Sequence, residues 1–406
     1  MLRDECGACG GPDLRVFLDL GKTPLANSFP ATADEAETWY PLQLARCGSC
    51  GLVQQTEVIP DADIYGPGYG FYSGGSAAQR AYHAAGAAML MDRYPGLCRK
   101  GVLEVACNDG SMLGHFAGRG YDALGVDPAA GPVAKAAEAG LNVLGQPFTA
   151  DLARQLRDDR GTFGLVIAYN SMAHINDLGD VLTGMREVMA PASLAVVEVQ
   201  YLPDLIAGNL IGQVYHEHRY FHSVSSFGRM ARLHGLYLVG AELIELQGGG
   251  MRLYLATTPA NAGEARAVQT ILTSERWLNR DATYDGMQGR VDRNRDHLLA
   301  LVDAERKAGR DVVGYAAAAK ATTILNYCGL GRDMIPYVID TTEYKWGRYV
   351  PGVKTRIVAP DSVEADVADT RLLLTSNYLG SVLRNDRAFL DKGGRWVLAE
   401  PFPTVV

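Results

Sequence analysis

Four of the seven cysteines fall into two C-x2-C pairs, Cys6-Gly-Ala-Cys9 and Cys47-Gly-Ser-Cys50, and no other pattern in the chain restricts its fold as strongly. Four thiolates in two such knuckles can close a tetrahedral zinc site. Each knuckle is rich in glycine, which suits a tight turn with backbone amides pointed at sulfur. Residues 10–46 between the knuckles exceed the usual ~15–20 residues, so a hairpin or loop is inserted there. The alternative is two unrelated redox or core pairs. With all four positions filled by protein, the metal is structural and not catalytic. Seven cysteines is an odd count, and a reducing cytosol disfavours a disulfide framework. A unit this small builds no large core, so metal binding should supply much of its folding free energy. Leu52–Val58 reads as a strand, and Pro60-Asp61 as the boundary of the unit.

The 406 residues allow two to four domains at roughly 100–200 residues each, and 48% apolar with 21% charged residues is globular composition. A net charge of −8 argues against nucleic acid or an anionic membrane as the main partner. The longest apolar stretches, such as 84–91, fall short of the ~20 residues that span a bilayer. The opening Met1–Cys6 has no apolar core of a secretory signal. The expectation is a cytoplasmic protein, either monomer or homodimer.

After an Ala-rich helical stretch at 76–94 comes Val102-Leu-Glu-Val-Ala-Cys-Asn-Asp-Gly110. A strand ends near Glu104, a small-residue turn follows, and Met112 to Phe116 begin a helix. A second strand, Tyr121 to Asp127, ends in a carboxylate followed by Pro128. Strand, turn, helix and strand with carboxylate is the arrangement that binds nucleosides at the carboxyl edge of a parallel sheet, the carboxylate taking the ribose hydroxyls. The turn residues Ala106, Asn108, Asp109 and Gly110 lack the closely spaced glycines that cradle a pyrophosphate. S-adenosylmethionine therefore fits better than a dinucleotide; a doubly wound fold with no cofactor is the third reading. Phe148 could flank the adenine, and Asn170 ends a fourth strand, Phe163–Asn170, that opens onto His174.

Between Gln213 and His222 lie three histidines, two tyrosines and a glutamate. Helical H-E-x-x-H spacing is absent, so the zinc-protease pattern does not apply. Histidine supplies an acid–base group near neutrality. Metal binding and a solvated histidine-rich loop are the other two readings. Towards the C-terminus, helical segments at Ala265–Trp277 and Arg290–Lys307 precede the strands Val312–Tyr315, Ile335–Asp340, Arg371–Thr375 and Arg395–Glu400. These suggest a smaller parallel sheet. Lys320, at a helix start, could pair with a diphosphate or be a surface lysine. Asp340 at a strand end keeps a nicotinamide cofactor, NADPH, in view without favouring it.

Taken in order, these blocks resemble the sugar C-methyltransferases acting on TDP-4-keto-deoxysugars, over nearly the whole chain. The resemblance rests on Cys6, Cys9, Cys47 and Cys50, on Thr23-Pro-Leu-Ala-Asn27, and on Glu104–Gly110. Tyr215-His-Glu-His218 with Tyr220-Phe221 is its most specific part. Gly248-Gly-Gly-Met-Arg252, Gly314-Tyr315 through Lys320, and Asn326-Tyr-Cys-Gly329 complete it. It implies an α/β protein in three parts: a zinc-binding domain (1–62), a Rossmann-like methyltransferase domain with a mostly parallel sheet (63–262), and a smaller Rossmann-like domain (263–406) that helps hold the nucleotide sugar. Tyr220, Arg252, Tyr315, Lys320 and Asn326 are the substrate contacts it implies. Two positions depart from the family: Gln247 stands where histidine is usual, and Ala316 where glycine is usual.

Carbon methylation of such a ketone needs a base to remove the proton at carbon 3, donors to the enolate oxygen, and a methyl group in line. His218 is expected to be the base, Tyr215 and Glu217 to position the sugar or tune it, and His174 to polarise the oxygen. Tyr72 matches a family position near the sugar. A core role is the alternative for both His174 and Tyr72. Three functions stay open: the C-methyltransferase, acting at carbon 3 or carbon 5; a bifunctional enzyme that also reduces the 4-keto group with NADPH; and a non-catalytic nucleotide-sugar binder.

Overall fold

Strands dominate the first 60 residues, but they do not close on themselves. The computed structural model describes residues 2–65, 71–245, 249–362, 368–375, 380, 382 and 386–406. Its first sheet runs Leu14–Thr23, Tyr40–Cys47, Val53–Gln55 and then Tyr220–Phe221, all antiparallel. The fourth strand comes from the histidine-rich segment, with Val53 opposite Phe221 and Gln54 opposite Tyr220. The sequence boundary near Pro60 is therefore not a boundary of packing. Cys6, Cys47, Cys50 and Leu52 share a core with Val105, Met172 and Phe227 of the middle part. Leu18, Leu20, Leu42 and Leu44 share another with Ile324, Leu325 and Val338 of the C-terminal part. The small unit borrows its core from both neighbours, as a chain of this length must.

The central sheet has seven strands in the order Tyr237–Ile244, Gly250–Ala256, Met189–Gln200, Phe163–Tyr169, Val102–Val105, Ala123–Val126, Val143–Leu144. Five are parallel and the first two form an antiparallel edge. Phe163–Tyr169 and Val102–Val105 are buried at every residue, as strands covered on both faces require. The helix Ala77–Arg93 is capped by Ser76, whose hydroxyl accepts from the Gln79 amide at 3.1 Å.

The C-terminal sheet orders Arg356–Val358, Tyr337–Ile339, Val312–Tyr315, Thr370–Leu373, Arg395–Leu398 and Thr404–Val405. The first five are parallel and the last is antiparallel. The first and last of these lie beyond the four strands expected from sequence. The polar stretch 279–289, expected to separate two helices, itself carries a short helix, Ala282–Asp285, and the start of Met287–Lys307. Among the described residues no helix is long and apolar enough to cross a membrane.

Candidate active site

The turn after Val105 achieves without glycines what glycines usually supply. Ala106 and Asn108 both adopt left-handed backbone, φ 57° and 49°, before Gly110 at 69°. That coil turns the Asn108 amide onto Asp127, which accepts from it at 2.9 Å and from the Ala129 amide at 2.8 Å. Burial raises the Asp127 pKa against the pull of those two amides. Glu104 lies below, fully buried, its pKa raised well above the usual carboxylate range by burial first and by Asp127 next. Its Oε2 has no hydrogen-bond partner, an open acceptor beside the strand ends. Pro128 is exposed at the rim.

Asp109 does not face this opening. It accepts from the Ser73 hydroxyl (2.8 Å) and the Gly74 amide (3.1 Å) and pairs with Lys135 (2.9 Å). Burial raises its pKa, but the Lys135, Ser73 and Gly74 contacts outweigh that and the net shift is downward. Asn108 adds a bond from the Ser73 amide to its Oδ1 at 2.8 Å. The segment 71–74 is thereby strapped over the turn. Tyr72 belongs to that strap, its ring 5.0 Å from the Lys135 ammonium.

Asn170 ends its strand with φ 53° and donates to Glu198 at 3.3 Å. Glu198 is fully buried and also accepts from Tyr82 (2.5 Å) and Arg252 (2.9 Å). Two residues expected at the ligands meet protein partners here. Arg252, expected at the substrate, is committed to Glu198 and Glu242. Phe148, expected against adenine, packs into the core, where a Cβ on Gly184 would lie 3.0 Å from its ring.

The histidine-rich loop gives His218 a defined chemical state. Its Nδ1 lies 2.8 Å from the Gln213 carbonyl. A carbonyl only accepts, so Nδ1 carries the hydrogen and Nε2 keeps the lone pair in the neutral ring. The Tyr215 hydroxyl donates to that Nε2 at 2.6 Å, and Gln200 approaches it at 3.4 Å. Burial, then the neighbouring His174, holds the His218 pKa well below the ordinary value. The two imidazoles meet edge to face with centroids 5.0 Å apart. His174 Nδ1 is buried without a partner, and burial lowers the His174 pKa to about 4.

The other polar residues of the loop do different work. His216 donates from Nε2 to the Pro41 carbonyl at 3.1 Å and pins the loop to the first sheet. Glu217 accepts from Asn27 at 2.9 Å, and burial raises its pKa. Tyr220, expected at the substrate, is fully buried, donates to the Asn176 carbonyl at 2.8 Å and accepts from Arg3. The amide of Asn326, also expected at the substrate, donates to the carbonyls of Thr322 and Pro351. Tyr315 stands edge-on to Trp396 at 5.0 Å with Arg371 over its ring. Asp340 accepts from the Thr342 amide and pairs with Lys345 at 3.5 Å. Lys320 is buried, not on the surface, and burial lowers its pKa to about 8 against the opposing pull of Glu400. Ala316 has φ 72°, a left-handed backbone that glycine adopts at least cost; Gln247 lies outside the described residues.

Sequence reasoning did not single out Gln55, which clamps the loop by donating to the carbonyls of Tyr215 (2.6 Å) and His218 (2.7 Å). Its signal, a buried glutamine closing a strand, is common to many sheets.

The four cysteine sulfurs lie within 4.8 Å of one another, with Cys6–Cys50 and Cys9–Cys47 at 3.6 Å. Zinc–sulfur bonds of about 2.3 Å in a tetrahedron place sulfurs about 3.8 Å apart, so the donor set and its spacing fit zinc.

A mostly parallel central sheet bearing Glu104 and Asp127 at its carboxyl edge, joined to a tetrathiolate knuckle, defines a methyltransferase of three-part build. Residues 6–65 match the family profile of a zinc binding domain, 80–241 a methyltransferase domain, and 245–401 the C-methyltransferase C-terminal domain. C-methyltransferase NovU of Streptomyces niveus is 31% identical over 408 residues, covering 99% of this chain and 97% of that protein. The chain belongs to this C-methyltransferase family. A ubiquinone biosynthesis O-methyltransferase of Azorhizobium caulinodans is 30% identical over 100 residues, 24% of this chain and 38% of its own. Among solved structures, the magnesium protoporphyrin IX methyltransferase of Synechocystis, with S-adenosylmethionine bound, aligns over 44% of this chain and 79% of its own at 13% identity, TM-score 0.34.

Proposed function

We propose that the protein transfers a methyl group from S-adenosylmethionine to carbon 3 of a TDP-4-keto-deoxysugar. The observation that carries this reading is the state of His218: a neutral, buried imidazole whose Nε2 lone pair accepts from the Tyr215 hydroxyl, with the His174 ring packed beside it. His218 Nε2 takes the carbon 3 proton, and the electron pair of that C–H bond moves into an enolate with its charge largely on the carbon 4 oxygen. The Tyr215 hydroxyl, released from Nε2 as the proton arrives, turns to that oxygen, and His174 lines the same space. When bound, S-adenosylmethionine would supply an electrophilic methyl group to carbon 3, the enolate pair forming the new carbon–methyl bond while sulfur keeps the pair of the bond that breaks. Asp127 is suited to the ribose hydroxyls, and Glu104 offers its open acceptor on the same edge. Lys320 and Tyr315 stand on the C-terminal part as contacts for the nucleotide sugar. Zinc, held by the four cysteines, is structural. In domain terms we assign 1–62 to zinc, 63–262 to the donor and 263–406 to the nucleotide sugar.

Incubation of the protein with S-adenosylmethionine and TDP-4-keto-6-deoxyglucose in deuterated water tests this. Deuterium should enter at carbon 3 of the sugar not yet methylated, and the product should gain one CH2 in mass and carry no hydrogen at that carbon. Deuterium at carbon 5 alone moves the methylated carbon. A sugar returned unchanged in mass and isotope overturns the reading.

A further inference from the structure

Gln213 is held on both sides by the C-terminal part of the chain. The Gly212 amide donates to Glu400 Oε1 at 2.8 Å, and the Val214 carbonyl accepts from the Thr323 hydroxyl at 2.7 Å. Glu400 follows the strand Arg395–Leu398, and Thr323 lies on the helix Ala319–Cys328. Both side chains are buried, and an amide donated to a carboxylate is among the stronger hydrogen bonds. Gly212 has no room for a side chain: a Cβ there would lie 2.9 Å from Glu400 Oε2 and 3.1 Å from Lys320 Cβ. The buried Lys320 ammonium supplies the counter-charge to Glu400.

We propose that Glu400 and Thr323 are positioning residues for His218: by fixing Gly212 and Val214 they aim the Gln213 carbonyl that decides which imidazole nitrogen carries the hydrogen. The inference rests on the reading of His218 as base. With the carbonyl in place, Nδ1 is the donor and Nε2 keeps the lone pair that would take a proton once Tyr215 releases it. With the carbonyl turned away, the ring is free to carry its hydrogen on Nε2, where it would donate towards Tyr215 and have no lone pair for the sugar. A hydrogen bond behind an imidazole sets its tautomer in metal sites for the same reason. The C-terminal part of the chain thus builds the base as well as covering the substrate side.

The test uses the full chain labelled with 15N-histidine, with long-range proton–nitrogen correlation reading the His218 tautomer and His218→Gln assigning the signal. Deuterium entry into TDP-4-keto-6-deoxyglucose reads the base, and calorimetry reads donor affinity. Thr323→Val should move His218 towards the Nε2–H form and slow exchange about tenfold or more, with donor affinity unchanged. Thr323→Ser, which keeps the hydroxyl, should restore both. Glu400→Gln keeps an oxygen for the Gly212 amide and should hold the tautomer that Glu400→Ala loses; this pair gives the answer if Thr323→Val does not fold. A His218 tautomer unmoved in Thr323→Val and Glu400→Ala overturns the proposal, as does equal impairment by Val and Ser at 323. If the tautomer moves as expected while His218→Gln keeps full exchange, the positioning stands and the assignment of the base falls.

Discussion

Gln55 donates both hydrogens of its side-chain amide to the histidine-rich loop, one to the carbonyl of Tyr215 and one to that of His218, across 163 residues of sequence in the second case. A residue of the first sheet therefore fixes the stretch of loop that carries Tyr215 and His218. Gln55→Leu removes both donors at nearly constant volume and leaves two carbonyls unmatched, at about 1–3 kcal/mol each if no water replaces them. Single-turnover kinetics should show a methyl-transfer rate lowered ten- to a hundredfold, with donor affinity and bound zinc unchanged. A rate within twofold of the parent would show that the clamp is dispensable.

His218→Gln should lower both carbon 3 exchange and methyl transfer by roughly 10²–10⁴. The sign of the pH dependence follows from the pKa. Because burial and His174 push it down, the base stays neutral below pH 6.5 and the acid limb of kcat/KM falls below the position of an ordinary histidine. A limb centred at 6.5 or higher in the parent protein, absent from the variant, would contradict the buried geometry.

Asp127→Ala should weaken S-adenosylmethionine binding by ~1–3 kcal/mol, because the ribose hydroxyls and the Asn108 and Ala129 amides lose their common acceptor. Calorimetry on the purified protein measures this directly. Equal affinity in variant and parent would move the ribose contact elsewhere on the edge.

Protein purified without chelator should hold one zinc per chain. In Cys47→Ser the loss should reach the catalytic loop, because Val53 on the knuckle sheet pairs with Phe221. Methyl transfer and metal content should fall together across partially loaded samples. Full activity in a sample stripped of metal would break that link.

His222 is fully buried, and burial lowers its pKa to about 4. A folded pKa below the unfolded value of about 6.5 means that the unfolded chain takes up the proton first, so the stability from this group is present above 6.5 and is lost as pH falls. Between pH 7 and 5 the loss is about 2 kcal/mol. His222→Phe should unfold less steeply with acid by that amount, whatever its offset at pH 7. Parallel curves of denaturation midpoint against pH for the two proteins would argue against it.

How legible the site was depends on how far apart its partners lie. The turn at Glu104–Gly110 and the carboxylate at Asp127 are written within two dozen residues, and the strand–turn–helix pattern carries them. The knuckles announce themselves because cysteine pairs at that spacing have few other uses. Gln55, Thr323 and Glu400 were invisible in their local pattern, because each meets the loop from more than a hundred residues away. Tyr220 and Arg252 hid their partners for a related reason. Both are polar and sit beside informative residues, yet each is consumed by a buried partner, Asn176 for the one and Glu198 for the other. The antiparallel edge, Tyr237–Ile244 against Gly250–Ala256, was missed although both runs are rich in β-formers. Their burial is continuous and not alternating, which removes the period-two signal.

The pairing of Val53–Gln55 with Tyr220–Phe221 also limits how such enzymes can be recombined. Exchanging residues 1–62 between two relatives joins the chains at an exposed place, within the short helix Asp61–Ile64, and splits a sheet whose last strand stays with the other parent. The cargo of such a graft is the knuckle together with 211–222, two pieces of chain that travel as one part although more than 140 residues lie between them. Shuffled libraries cut at the apparent domain edge should be populated by folded donor sites with misaligned bases, and libraries that move both pieces together should keep their chemistry.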